Sequence, residues 1–218
     1  IVSGLNAIFI TDWYSETNEL LTRDIEPVHP EDISDAIDCQ VVPSGPGFVG
    51  ENNLRLFLAL LYYAQDRIVI TSPYFVPDES MLVAITSAAY AGVRVELYVN
   101  EESDQFMVGH AQQSYYQELL DAGVIIYRYP APKILHSKFM VVDDEIAVFG
   151  SSNMDMRSFG LNYEITMIAT NGSIVPRLLE IADEYHELSS ELTPEQWDKR
   201  PWGQRYLDSV FRLTSALV

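Results

Sequence analysis

From Asn53 to Tyr129 the chain alternates at short intervals between β-branched runs and helix-patterned stretches, and this alternation limits the fold more than any other feature. A helix is expected from Asn53 to about Gln65, with Asn52 or Asn53 able to cap it, and Arg67 to Thr71 (RIVIT) reads as a strand. A helix from about Pro77 to Ala91 follows, then a strand at Val93 to Val99, a helix from about Ala111 to Ala122 and a strand at Val124 to Tyr129. Gly92 and Gly123 stand where a left-handed helix cap needs glycine. Such an order builds an α/β sheet with covered faces. Cys39 to Val42 is a further strand, Ser44 to Gly47 a turn, Glu164 to Thr170 a strand and Ile174 to about Leu188 a helix, with no internal repeat or low-complexity stretch.

A length of 218 residues, 48% of them hydrophobic, suffices for one such domain plus smaller attachments. The formal charge of -19, from 32 acidic and 13 basic residues, argues against a nucleic-acid partner, which needs a positive footprint. The same objection touches anionic lipid, but Arg128, Lys133, Lys138 and Arg157 fall close together in sequence, so the global charge speaks about the surface and not about a pocket. Cys39, the single cysteine, forms no internal disulfide and reads as a small buried hydrophobe. No apolar run reaches the ~20 residues of a membrane span, and no signal-peptide pattern opens the chain. Apolar positions at Leu5, Ile8, Phe9 and Trp13 are helical in spacing, and an acidic connector runs from Arg23 to about Asp38. A start at Ile1, inside an amphipathic pattern, suggests a piece of a longer chain.

The chemistry concentrates between Ile134 and Glu164, in ILHSKFMVVDDEIAVFGSSNMDMRSFGLNYE, where His136, Lys138 and Asp143 form H-x-K-x-x-x-x-D. Within a strand, residues two apart share a face, so His136 and Lys138 are expected to project together. Asp143-Asp144 reads as a tight turn and Ile146 to Phe149 as a returning strand, which makes the whole a β-hairpin. Pairing Val142 with Glu145 or Ile146 puts His136 opposite Ser151 or Ser152, with Asn153 close by. A neutral imidazole beside an ammonium, a hydroxyl and an amide suits attack on a phosphodiester, whose charge builds on the equatorial oxygens. Strict alternation points Asp143 away from His136 and Lys138, so its expected role is to hold the turn. A nucleophilic imidazole needs its other nitrogen held, for which Glu164 is the candidate; an exposed or turn carboxylate is the plain alternative.

HSKFMVVD followed by GSSNMDMRS and LNYE resembles the HKD signature of the phospholipase D superfamily, with His136, Lys138, Asp143, Ser151, Asn153 and Glu164 on the family's positions. SPYFVPDESMLVAITSAAYAGVRVELYV and SYYQELLDAGVIIYRY are similar to bacterial cardiolipin synthases in particular, over about Val41 to Val218. LNAIFITDWYSETNE looks like the last helix of the first half of those enzymes. The resemblance implies a phospholipase D-like lobe, a central mixed β-sheet flanked by helices on both faces, with residues 39–190 as the HKD domain. Residues 1–38 would then be the tail of a preceding lobe plus its linker, and residues 191–218 an amphipathic extension.

It further implies that two such motifs meet at one site, one histidine forming a phosphohistidine and the other serving as acid and base. The resemblance leaves His136 either role, nucleophile or acid and base, and its intact shell favours the nucleophile. His29, His110 and His186 lack a lysine two residues on, so the partner motif comes from the N-terminal HKD lobe of a longer chain or from a homodimer. The implied reaction joins two phosphatidylglycerol molecules into cardiolipin and glycerol at the cytoplasmic face of a bacterial membrane, without metal or cofactor; the sequence holds no tight ligand cluster. Tyr74 and Phe75, after the RIVIT strand, are candidate walls of a lipid pocket, though packing explains them equally well. Met154 and Met156 read as filler. Leu207, Val210, Phe211, Thr214 and Leu217 share a helical face that fits either a membrane interface or packing on the domain. Two other readings are a hydrolytic phospholipase D, which the SPYFVPD segment's likeness to cardiolipin synthases disfavours, and a non-catalytic lobe, against which the intact His136, Lys138, Asn153 and Glu164 speak.

Overall fold

The β-branched runs form the middle of one mixed sheet. The computed structural model describes residues 1–22, 37–48 and 50–215, so residues 23–36 of the acidic connector, His29 among them, and Leu217 lie outside the described residues. Strands β1 (Cys39–Ser44), β2 (Arg67–Thr71), β4 (Arg94–Asn100), β5 (Ile125–Tyr129), β6 (Phe139–Val142), β7 (Ile146–Gly150), β9 (Glu164–Ala169) and β10 (Ser190–Glu191) lie in the order β1-β9-β7-β6-β2-β4-β5-β10. β2, β4 and β5 run parallel, and the remaining pairings are antiparallel. The short strands β3 (Phe75–Val76) and β8 (Met154–Asp155) pair separately.

Side-chain parity sorts the core. Ile68, Ile70, Met140, Val142 and Val148 face a cluster shared with α2 (Asn52–Tyr63), α3 (Glu79–Tyr90), α4 (Phe106–Gln113) and α5 (Tyr116–Ala122). Val69, Phe139, Val141 and Ala147 face α7 (Ile174–Leu188) through Val175, Leu178 and Ala182. The sheet is thus covered on both faces, and its central strands are apolar on both, as a doubly buried sheet requires. Each fully buried aliphatic side chain contributes about 1.5–3 kcal/mol.

Several expected boundaries shift. The expected helix from Ala111 to Ala122 is two, α4 and α5, broken where Ser114 Oγ donates back to the Ala111 carbonyl at 2.5 Å. α2 starts from Glu51, not from an asparagine cap, and Asn53 is wholly buried. α3 is capped by Asp78, whose carboxylate accepts from Met81 N at 2.9 Å. Cys39 is half-buried on β1.

The C-terminal segment joins the main core: Leu192, and Trp197 of α8 (Pro194–Asp198), are buried within it. α9 (Trp202–Arg212) packs on α4 through Phe211 and the buried Asp208, leaving Trp202, Tyr206 and Leu213 exposed. α1 (Val2–Thr17) differs, having no buried residue and exposing Phe9, Trp13 and Tyr14.

Candidate active site

The hairpin from β6 to β7 carries the motif. Val142 lies opposite Ile146, which leaves Asp143, Asp144 and Glu145 as the connection; Asp143 and Asp144 take positive φ, 52° and 54°, as the central residues of a tight turn that Glu145 N closes by donating to the Val142 carbonyl at 3.0 Å. The Asp143 carboxylate accepts from the backbone N–H groups of Gln65, Asp66 and Arg67 at 2.9, 2.8 and 2.9 Å, pinning the turn to the start of β2. Burial pushes this carboxyl up, but the three N–H donors outweigh it and hold Asp143 below the usual carboxylate range.

His136 and Lys138 precede the strand, which corrects the expectation that they lie within it: β6 begins at Phe139. One ladder-like bond remains, from Gly150 N to the Lys138 carbonyl at 3.2 Å. Side chains from the C-terminal ends of the parallel strands secure the lead-in instead. Asn100 of β4 grips Leu135 twice, accepting from its N–H at 2.7 Å and donating to its carbonyl at 3.1 Å. Thr71 of β2 accepts from Phe139 N at 3.2 Å and lies 3.5 Å from the Ser137 carbonyl. Held in this way, Lys138 Nζ sits 3.4 Å from His136 Nδ1 and 3.0 Å from the His136 carbonyl, with the imidazole exposed.

The facing loop begins at Gly150, where a Cβ would lie 2.1 Å from the Ile165 carbonyl oxygen, so the close approach of β9 forbids any side chain. Glu164, buried at the start of β9, accepts from Ser151 Oγ and from Asn162 Nδ2 at 3.3 Å. No hydrogen bond joins Glu164 to His136 among the described residues. Its charge acts elsewhere: burial pulls the Lys138 ammonium below the ordinary lysine range, and Glu164 and Asp155 oppose that pull. Tyr74 donates to Asp104 at 2.9 Å, whereas Phe75, paired with it as a candidate pocket wall, is wholly buried in the main core.

Three residues beneath the loop escaped the sequence reading. Asn53 reaches from α2 to donate to Ser152 Oγ at 2.9 Å and to the Ser158 carbonyl at 2.8 Å, bridging both sides of the Ser151–Asn153 turn. Ser158 Oγ accepts from Asn153 N at 3.2 Å, and Asp155 caps the short helix α6 (Met156–Gly160) by accepting from Ser158 N at 2.7 Å. Asn53, Ser158 and Asp155 are at most 6% exposed. No local signal marks Asn53, which stands beside Asn52 at the start of α2, ahead of the apolar run that begins at Leu54.

Beside this network lies a cavity of about 560 Å³ whose lining includes Tyr74, Gln105, Asn153, Asp155, Arg157 and Asn162. Burial raises the Asp155 carboxyl above its ordinary range, against the hydrogen bonds from Ser158 and Asn153. Among the described residues, no group of three or more His, Cys, Asp and Glu side chains is arranged to hold a metal, and no helix is long and apolar enough to cross a membrane.

Residues 57–188 match the family of the cardiolipin synthase, PLD-like domain. A cardiolipin synthase of Halalkalibacterium halodurans is 39% identical over the whole chain, which covers 43% of that relative. The fold is similar to that of phosphatidylserine synthase from Haemophilus influenzae, with TM-score 0.66, 13% identity, 95% of this chain and 53% of that one. It is also similar to Nuc, a phospholipase D family member from Salmonella typhimurium, with TM-score 0.62, 19% identity, 72% of this chain and 99% of that one. The chain spans less than half the length of the curated relatives it matches.

Proposed function

Because the chain belongs to the family of cardiolipin synthase PLD-like domains, we propose that it supplies one of two HKD motifs to a phosphatidyl transfer between two phosphatidylglycerol molecules. The observation that carries this reading is the pairing of an exposed imidazole with a half-buried ammonium 3.4 Å away, on a segment pinned by Asn100 and Thr71. A phosphodiester settling against Lys138 would restore the solvation its ammonium lacks, and the same charge would stabilise the equatorial oxygens as they gain charge. Asn153 and Ser151 add neutral donors, and Glu164 fixes the Ser151 hydroxyl.

In the first displacement the phosphorus–nitrogen bond to His136 forms as the phosphorus–oxygen bond to the head-group glycerol breaks. The departing oxygen takes a proton from the histidine of the second motif. In the second displacement a hydroxyl of another phosphatidylglycerol returns that proton as it attacks, giving cardiolipin and free His136. Asp143 acts on position, by fastening the hairpin to β2.

The second motif comes from residues outside this chain, in an N-terminal lobe or a second copy. α1, which exposes Phe9, Trp13 and Tyr14 and has no buried residue, fits the tail of that lobe, with residues 1–38 as tail and linker. Residues 39–190 form the HKD domain, and residues 191–218 extend it. We place the full protein at the cytoplasmic face of the bacterial membrane and expect this chain alone to be nearly inactive unless two copies pair.

Labelled phosphatidylglycerol, given to the full-length protein and to its His136→Ala variant, tests the reading by separation of products. The expected result is cardiolipin plus glycerol from the parent and a loss of roughly a thousandfold or more in the variant, with an unshifted melting transition. Phosphatidic acid as the sole lipid product would replace transfer with hydrolysis, and an active variant would dismiss His136.

A further inference from the structure

The cavity beside Asn153 differs chemically from the His136–Lys138 end of the site. Its most buried charged group is Asp155, 6% exposed, whose carboxyl accepts from Ser158 N at 2.7 Å and is also approached by the Ser158 hydroxyl and the Asn153 side chain, while Arg157 lines the same cavity nearer solvent. The Asn153 Oδ1 atom is buried and has no hydrogen-bond partner among the described residues. Both atoms accept hydrogen bonds. A phosphodiester carries no donor and is repelled by a carboxylate, so it leaves both unanswered. A polyol offers two or three hydroxyl donors on adjacent carbons, and Asn162 and Tyr74 extend the polar lining it would meet.

We propose that this cavity, with Asp155 as its principal acceptor, is the subsite for the polyhydroxyl head group of the lipid. The assignment rests on the phosphatidyl-transfer reading and divides the site: phosphate at Lys138, glycerol at Asp155. One cavity serves both halves of the exchange, because each displacement is in line and the attacking hydroxyl enters where the leaving one departed. A cavity of about 560 Å³ accommodates a three-carbon polyol together with the start of the second lipid's glycerophosphoryl arm. A quaternary ammonium head group would satisfy the carboxylate but bring no donor to Asn153 Oδ1, so the pair of acceptors selects hydroxyls over choline.

The test compares two donors that differ only in head-group hydroxyls, phosphatidylglycerol and phosphatidylpropanol, with the full-length protein and its Asp155→Asn variant. The measured quantity is kcat/KM for release of the head-group alcohol, which is independent of whether water or lipid is the acceptor. Asparagine caps a helix as well as aspartate does, so the contact to Ser158 survives, and a melting curve checks that it has. The parent should favour phosphatidylglycerol, and the variant should lose roughly ten- to a hundredfold of that preference, the worth of a hydrogen bond to a charged group. An equal loss on both donors would reduce Asp155 to a structural cap and overturn the subsite, as would an unchanged ratio or a parent that does not discriminate. Preference for phosphatidylethanolamine over phosphatidylglycerol would overturn the polyol assignment. If phosphatidic acid replaces cardiolipin while the ratio still shifts, the transfer reading fails and the subsite stands; release of neither alcohol rejects both.

Discussion

His110 donates its Nδ1–H to Asp208 at 2.7 Å and stacks on Phe211, while Arg200 grips the other oxygen of the same carboxylate at 2.6 Å. His136, by contrast, stands exposed with an ammonium 3.4 Å from its Nδ1. In the first region every charge is answered by the protein, and the cluster locks α9 onto α4. In the second, hydrogen-bonding capacity is left over around an exposed imidazole and a partly desolvated cation. The same side chain is structural where its neighbours complete it and chemical where they leave room for a substrate.

Asp208→Ala would test the first half of this contrast most severely. It strands Arg200 and His110 at a site where the carboxylate is 3% exposed, and a destabilisation of about 3–5 kcal/mol is expected in urea titrations. A change below ~1 kcal/mol would mean that α9 is held by packing alone.

Asn53→Ala probes the support of the second region. Loss of the bridge to Ser152 and Ser158 should cost about 1–3 kcal/mol of stability. The loosened loop should lower kcat roughly ten- to a hundredfold, with KM for lipid little changed. A fall confined to stability would assign Asn53 to the fold and not to the site.

The smallest effect concerns acid. Glu96, buried on the α7 face, is pushed up by burial, but hydrogen bonds from Arg67 and Arg94 hold it below the usual carboxylate range, as backbone donors hold Asp143. Folded values below the unfolded ones, about 4.3 for Glu and 3.9 for Asp, give stability that is present above the unfolded values. That stability is lost as pH falls through the folded ones. Urea midpoints between pH 6 and pH 3 should decline, and the decline should flatten in Asp143→Asn.

Much of the frame was legible because it follows from periodicity. RIVIT is β2 to the residue, Ile174 to Leu188 is α7, and the Asp-Asp turn lies where the motif spacing put it. Parity alone could not show that β6 stops short of Lys138, because the segment before it is held by Asn100 and Thr71, residues 35 or more positions from those they hold. The polar network of Asn53, Ser158 and Asp155 was hidden for the same reason, since its partners meet only when α2 packs under the loop. Local pattern predicts elements; side chains that cross between elements position the chemistry.

The double grip of Asn100 on Leu135 has a consequence for how such a protein can diverge. A reactive segment bound by a ladder can be moved only by re-registering a sheet, which turns every residue to the opposite face. Here the backbone ahead of His136 is held by one carboxamide and the Leu135 side chain by the core, so a single substitution at Asn100 loosens the backbone that carries His136 without re-registering the sheet. Selection can therefore retune reactivity in small steps without risking the fold.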